Sequence, residues 1–127
     1  MKQKQLNISI VSFDEFGISR HPNHIATHEG LKVFCSQKRQ SLLKDKNLNV
    51  RCFELETTNL FRKYFGIFDV VLSVTLALGS NDQLFLLTNF FKSLQAMQSH
   101  RSQLVWFRFL FVLLSRYSYV NTLKEIN

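Results

Sequence analysis

The chain has 127 residues, enough for one small domain with a hydrophobic core and too few for two domains of ordinary size. Its 46% hydrophobic content excludes a wholly disordered chain, and its net charge of +7 favours anionic partners such as nucleic acid, acidic lipid or acidic protein. A polar basic segment, residues 1–58, precedes a Phe- and Leu-rich apolar segment, residues 59–127. We therefore expect a single small α+β domain or less, with short strands in the first segment and helices over about residues 60–124.

The polar basic segment begins with a predicted strand, a turn and a helix. Leu6, Ile8 and Ile10 would lie on one face and Asn7 and Ser9 on the other, a period of two that predicts a short strand. Asp14–Gly17 is typical of a turn. Pro22 suits the first position of a helix and Gly30 suits the position just past a helix end, so we predict a short helix between them.

The rest of this segment predicts two more strands around a basic stretch. Leu31–Cys35 is apolar enough for a strand, and Asn49–Glu56 alternates again. Between them, Gln37–Lys46 has moderate helix propensity. Glu54 and Glu56 are expected on the same side of the last strand, facing water.

The first apolar element, Phe68–Leu78, has features of both a strand and a helix. Large apolar residues alternate with small or polar ones, as in a strand. The element is long for a strand, however, and the four-residue spacing of Asp69 and Ser73 would place both on one helix face. We predict a helix.

Two further apolar elements complete the chain. Ser80 and Gln83 form a capping-box pattern ahead of an amphipathic helix of about sixteen residues. The last element, Gln103–Tyr119, is apolar on every side, so its periodicity does not decide between strand and helix.

The block Leu104–Leu114 raises the hypothesis of membrane association. A spanning helix needs about twenty predominantly apolar residues, and Arg108 in the middle of this block brings the insertion free energy close to zero. Asp69 lies in the first apolar element, so a hydrophobic hairpin over about residues 65–119 would pair it with Arg108. Membrane lipid is one partner that this hypothesis implies.

Three histidines in eight residues are the best candidates for a metal site. His24 and His28 are four residues apart and would share a helix face, with His21 at the helix entrance and Cys35 as a fourth zinc ligand. The pattern His-Glu-x-x-His of metalloproteases is absent, and an exposed turn is the commoner explanation of such a cluster. We predict no metal, catalytic or cofactor site.

The two cysteines and the start of the chain bear on the compartment. Cys35 and Cys52 are interpreted as half-buried thiols in a reducing compartment, with a single bridge as the alternative. Polar residues interrupt the apolar side chains after Met1, so we expect no signal peptide and no secretion. The predicted location is the membrane if the apolar segment inserts, and otherwise the cytoplasm.

Other patterns associated with chemistry are weak. The stretch Gln37–Arg51 is basic enough to lie on phosphates or acidic headgroups but lacks aromatic residues for base stacking. Four isolated glycines cannot build a phosphate-binding loop, and Gly79-Ser80 lacks the second glycine of a nucleophile elbow. We therefore predict that the protein is not an enzyme and has no small-molecule substrate.

The composition leads to three hypotheses about function. Gly and Pro are scarce and Phe is abundant. The same bias is expected of an AT-rich reading frame that was never selected for function and of a genuine protein from an AT-rich genome. Our first hypothesis is a chain with no assignable biochemical function, from a dubious reading frame. The alternatives are a small membrane-associated protein with a hydrophobic hairpin, and a basic module that binds an acidic partner.

Overall fold

The computed structural model describes residues 5–37, 48–87, 89–100, 102 and 105–126. The chain divides into two compact units: unit 1 comprises Met1–Thr57 with Leu123–Asn127, and unit 2 comprises Thr58–Thr122. Both helices and strands are present, and the α+β class stays a prediction.

Unit 1 is built on two parallel strands joined by a helix. Strand β1 (Leu6–Phe13) leads into helix α1 (Pro22–Gln37), which returns to strand β2 (Leu48–Leu55). The strands pair in parallel from Leu6 opposite Leu48 to Phe13 opposite Leu55, as this connection allows. On the other side of β2, the end of strand β4 (Val120–Ile126) pairs antiparallel, which gives the order β1-β2-β4.

The sequence predicted the strands of unit 1 better than its helix. The short strand predicted from Leu6, Ile8 and Ile10 is present as the first part of β1, which continues to Phe13, and the one at Asn49–Glu56 is β2, shifted by one residue. The helix end predicted at Gly30 is wrong, because α1 continues to Gln37.

The predicted strand Leu31–Cys35 is helical because of tertiary packing. Leu31 and Cys35 are four residues apart, so a helix buries both on one face, where they pack with Cys52. Gly30 faces open space and costs this helix only about 1 kcal/mol relative to alanine. Residues 38–46, most of the basic stretch, lie outside the described residues.

The two cysteines form a disulfide in the core of unit 1. Cys35 of α1 and Cys52 of β2 are bonded and buried, with exposures of 7% and 0%. Two free thiols were therefore the wrong interpretation, and the alternative of a single bridge is the one that the structure contains. The bond fastens α1 to the sheet.

Unit 2 contains most of the helices. Its elements, in chain order, are α2 (Leu60–Tyr64), a 3-10 turn (Gly66–Phe68), α3 (Asp69–Ala77), β3 (Gln83–Leu86), α4 (Phe90–Ser99), α5 (Trp106–Leu114) and a second 3-10 turn (Arg116–Ser118). β3 is hydrogen-bonded to β4.

The predicted helices of unit 2 are only partly correct. The helix preferred over a strand near residue 70 is confirmed as α3. The capping box at Ser80 and Gln83 does not start a helix, because Gln83 begins β3 and pairing with β4 satisfies its backbone. α4 instead begins after Asn89, whose side chain accepts a hydrogen bond from Phe91 N over 3.0 Å.

A buried ion-pair network lies within unit 2. The Asp69 carboxylate is fully buried and pairs with Arg62 and Arg116. The predicted pair between Asp69 and Arg108 is therefore wrong. Both arginines that pair with Asp69 lie outside the block Leu104–Leu114 that contains Arg108.

The last apolar element is a short, largely exposed helix. α5 buries only Val112 and ends where Ser115 becomes extended. Within the ranges that the structure describes, no helix combines the length and the apolar character needed to cross a bilayer.

Candidate active site

Polar residues meet at the carboxyl ends of β1 and β2. Asp14 directly follows β1, and Thr57 lies two residues beyond β2. Because parallel strands end at the same edge of a sheet, these residues are close: Asp14 accepts hydrogen bonds from both the amide and the hydroxyl of Thr57, each over 2.6 Å.

The Asp14 carboxylate holds this edge together. It is buried and also accepts from the amides of Phe16 over 3.2 Å and Gly17 over 3.0 Å. With four donors around it, Asp14 is committed to positioning the loops. It fixes the segment that follows β1 against the segment that follows β2.

A strained turn leads from Asp14 to the histidines. Three of its residues have positive φ: Gly17 at 56°, Ile18 at 63° and Arg20 at 56°. A β-branched residue rarely adopts this conformation, and such strain persists only where the surroundings enforce it. Here Ile18 N donates to the Thr57 hydroxyl over 2.8 Å. Strained backbone of this kind is typical of functional sites.

The turn places two imidazoles side by side at the start of α1. The ring centroids of His21 and His24 are 4.9 Å apart. His24 also stacks on Phe13, with a centroid distance of 3.9 Å. Its Nδ1 lies 3.0 Å from the Gly17 carbonyl oxygen, and that contact fixes the orientation of the ring.

The hydrogen bonds of the pair assign opposite tautomers to the two neutral rings. A carbonyl only accepts, so His24 Nδ1 carries the proton and His24 Nε2 is a base. His21 Nδ1 accepts from Asn23 N over 3.3 Å, so His21 Nε2 carries the proton and is a donor. Within the described part of the chain, neither Nε2 atom has a hydrogen-bond partner. The pair therefore presents a proton acceptor beside a proton donor.

The other members of the hypothesised zinc set are elsewhere. His28 is buried, with Nδ1 2.9 Å from the Phe13 carbonyl oxygen and 3.7 Å from Glu54. Cys35 is in the disulfide. In the described ranges, no three His, Cys, Asp or Glu residues are arranged to hold a metal ion. Of the four hypothesised ligands, only His21 and His24 have neighbouring rings in the structure.

A polar cavity of about 430 Å³ lies beside the ends of these strands. It is lined by charged and hydroxyl groups together with two apolar side chains: Asp14, Glu15, Phe16, His28, Lys32, Glu54, Glu56, Thr57, Lys124 and Ile126. Glu56 pairs with Lys124 over 3.0 Å. Glu54 and Glu56 are half-buried cavity residues, where the sequence predicted a water-facing pair. Donors and acceptors in such a cavity suit a polar ligand of sugar size.

Sequence reasoning missed Gly17 and Thr57 as site residues. Asp14–Gly17 was predicted as a turn, and that turn is present. Nothing in the local pattern connects Thr57 to it, because 43 residues separate Asp14 from Thr57. Only the parallel pairing of the strands brings them together.

Comparison with known proteins adds a chemical context. A Dictyostelium discoideum protein named probable N-acetylglucosaminyl-phosphatidylinositol de-N-acetylase is 42% identical over 148 residues, covering 99% of this chain and 57% of that protein. The Bos taurus protein named N-acetylglucosaminyl-phosphatidylinositol de-N-acetylase is 38% identical over 91% of this chain and 43% of its own length. A probable enzyme of the same name from Schizosaccharomyces pombe is 33% identical over 92% of this chain and 46% of its own.

The chain thus spans about half the length of the curated relatives that it matches. No family model matches it. No solved structure matches it either.

These similarities overturn the functional predictions. The hypothesis of no assignable function from a dubious reading frame is wrong, because identities of 33–42% over most of the chain link it to proteins with a named enzymatic activity. The prediction that the chain is not an enzyme is wrong for the same reason. The hydrophobic hairpin and the basic interaction module are displaced as well.

Proposed function

We propose that this chain contributes to the hydrolytic removal of the acetyl group from N-acetylglucosaminyl-phosphatidylinositol. The relatives carry this activity in their names, and the first of them aligns with 99% of the chain. The single observation that supports the chemistry is the pair of complementary imidazoles, His21 and His24, on the strained turn.

Hydrolysis of an amide requires two proton movements. Water attacks the acetyl carbonyl carbon and loses a proton, the carbon–nitrogen bond breaks, and the amine nitrogen gains a proton as acetate leaves. Imidazoles are the side chains most often used for both tasks near neutral pH. We assign to His24 Nε2 both the removal of the water proton and its later delivery to the leaving amine nitrogen, and to His21 Nε2–H a hydrogen bond to the acetyl oxygen as negative charge develops on it.

The surrounding contacts keep these two roles distinct. The Gly17 carbonyl holds the proton of His24 on Nδ1, and the Asn23 amide holds the lone pair of His21 on Nδ1. Asp14 and Thr57 fix the turn that carries Gly17. Such preorganisation lowers the cost of orienting the reacting groups.

The proposal is tested by mass spectrometry of the lipid product. The chain is incubated with N-acetylglucosaminyl-phosphatidylinositol in mixed micelles, and the free amine is quantified. His24→Ala and His21→Ala should each lower the rate by about 10²-fold or more, the usual contribution of a general base or of one hydrogen-bond donor to an oxyanion. His100→Ala, an exposed histidine in unit 2, is the matched control and should retain full activity.

Two results would refute the proposal. One is the absence of any amine product with the wild-type chain. The other is an unchanged rate for His24→Ala in a folded variant.

A further inference from the structure

Unit 2 contains a second, chemically different cavity, here called the α5 groove. Its volume is about 680 Å³, within the range of about 300–1,000 Å³ typical of small-molecule sites. It is lined mainly by apolar and aromatic side chains: Tyr64, Met97, Phe107, Arg108, Leu110, Phe111 and Leu114. The guanidinium of Arg108 and the hydroxyl of Tyr64 are the polar groups of this lining.

The groove belongs to an apolar surface that is not covered within unit 2. Phe107 is 54% exposed, and Leu110 and Leu114 are each 46% exposed. Trp106, at the start of α5, is 75% exposed. Exposed apolar side chains that line one groove, as Phe107, Leu110 and Leu114 do, are typical of a binding surface.

Positive charge lies directly beside this apolar surface. Among the described residues, Arg108 has no ion-pair partner. Lys63 Nζ lies 5.9 Å from the centre of the Phe111 ring and 5.5 Å from that of Tyr64. An occupant that complements both features is apolar over most of its length and negative at one end.

Net charge disfavours a second copy of the chain as that occupant. Each copy carries a net charge of +7, so long-range repulsion opposes the association of two copies. A helix that exposes Trp, Phe and Leu together with Arg is, in contrast, typical of elements that lie in a lipid interface. α5 has nine residues and is about 13 Å long, which is too short to span a bilayer.

We propose that the α5 groove binds the lipid half of an anionic phospholipid. An acyl chain packs against Phe107, Leu110 and Leu114, and the phosphate lies on Arg108. The identity of the natural ligand, a phosphatidylinositol lipid, rests on the proposed function, because the substrate named for the relatives contains phosphatidylinositol.

The test is co-sedimentation of the full chain with vesicles of phosphatidylcholine, with and without phosphatidylinositol. Arg108→Gln should weaken binding to the phosphatidylinositol vesicles about fivefold and leave binding to pure phosphatidylcholine unchanged. Leu110→Asp should weaken binding to both by about tenfold or more, because it places a carboxylate where the acyl chain packs.

Two matched variants control for charge and surface polarity. Lys92→Gln removes one exposed positive charge from unit 2, and Leu78→Asp changes a leucine that is 84% exposed and is not part of the groove lining. Both should bind vesicles like the wild type. Circular dichroism establishes that each variant is folded.

Three outcomes would refute the proposal that the α5 groove binds a phospholipid. Equal losses for Lys92→Gln and Arg108→Gln would indicate general electrostatic attraction. Full competition by soluble glycerophosphoinositol would mean that the headgroup binds without an acyl chain. A dimer that Leu110→Asp dissociates, without vesicle binding by the wild type, would make a second copy the occupant.

The vesicle assay is independent of the proposed reaction, because phosphatidylinositol has no acetyl group to lose. If the chain binds these vesicles through Arg108 but produces no amine, the proposed function is refuted and lipid binding by the α5 groove is supported. If the chain deacetylates a water-soluble N-acetylglucosaminyl-inositol phosphate but does not bind the vesicles, lipid binding by the groove is refuted and the proposed function is supported.

Discussion

Replacing Asp69 with asparagine should destabilise unit 2 strongly, because this carboxylate balances two guanidinium groups. Asp69 Oδ1 accepts from Arg62 Nε over 2.9 Å, and Asp69 Oδ2 accepts from Arg116 Nε over 2.5 Å and from the Ser73 hydroxyl over 2.7 Å. Asp69 and Arg116 are both fully buried. Bulk water therefore does not solvate the Asp69 carboxylate or the Arg116 guanidinium.

The magnitude follows from this burial. Asparagine keeps the size of the side chain but removes the charge and turns one acceptor into a donor. The buried Arg116 then lacks a full counter-charge, and breaking a buried pair in this way costs about 3–5 kcal/mol. The urea midpoint should fall by at least about 1 M, given slopes of about 1–3 kcal/mol per molar urea.

The assay is equilibrium urea unfolding followed by far-ultraviolet circular dichroism. Glu125→Gln is the matched control, because it breaks an equally short pair, 2.6 Å from Arg51, whose side chains are 31% and 42% exposed. Exposed pairs contribute little, so the control curve should overlay the wild type. A loss below about 1 kcal/mol for Asp69→Asn would refute the reasoning about buried charge.

The same network predicts how stability depends on pH. Burial alone would raise the pKa of Asp69, but hydrogen bonds from Arg62 and Ser73 and the charge of Arg116 outweigh it and hold that pKa below its usual value. The stabilisation by a carboxylate with a lowered pKa is complete above its unfolded pKa of about 3.9 and is lost as the pH falls through the folded value. Wild-type stability should therefore fall in acid more steeply than that of Asp69→Asn, as urea midpoints measured between pH 6 and pH 2 will show.

Three further predictions concern unit 1. Gly17→Ala should lower the deacetylation rate by about 10²-fold, because the new Cβ would lie 2.9 Å from His24 Cβ at a φ of 56° and displace that ring; a wild-type rate would contradict this. Asp14→Asn should lower the free energy of unfolding by about 2 kcal/mol, because it disrupts a buried acceptor of four hydrogen bonds. An unchanged urea midpoint would contradict the role of Asp14 in joining the two loops. Reducing the bond between Cys35 and Cys52, 17 residues apart in sequence, should cost about 3 kcal/mol, and thiol labelling before and after reduction checks that the bond is present.

Local patterns were sufficient where an element depends on its own residues. The alternation of Leu6, Ile8 and Ile10 with Asn7 and Ser9 predicted a strand where β1 lies, and Asp14–Gly17 was predicted as a turn. The spacing of Asp69 and Ser73 favoured a helix, and in α3 both side chains are buried in the ion-pair network. In α3 the four-residue spacing therefore corresponds to a helix face that the fold buries.

Local patterns failed where a partner distant in sequence decides the conformation. Leu31–Cys35 has the composition of a strand, but the helix lets Cys35 reach Cys52 in the core. Gln83 was predicted to cap a helix, but it is the first residue of β3, which pairs with β4. Intrinsic preferences are worth less than about 1 kcal/mol per residue, so such contacts override them.

The candidate site shows the same division. The sequence by itself determined that two histidines three residues apart follow a turn, and that this chain resembles named de-N-acetylases over most of its length. Only the tertiary structure decided which nitrogen of each ring carries the proton, because those protons are set by the Gly17 carbonyl and the Asn23 amide. It also decided that Arg116 balances Asp69 and that Arg108 lies in the apolar groove, since charge pairing depends on distance in space and not in sequence.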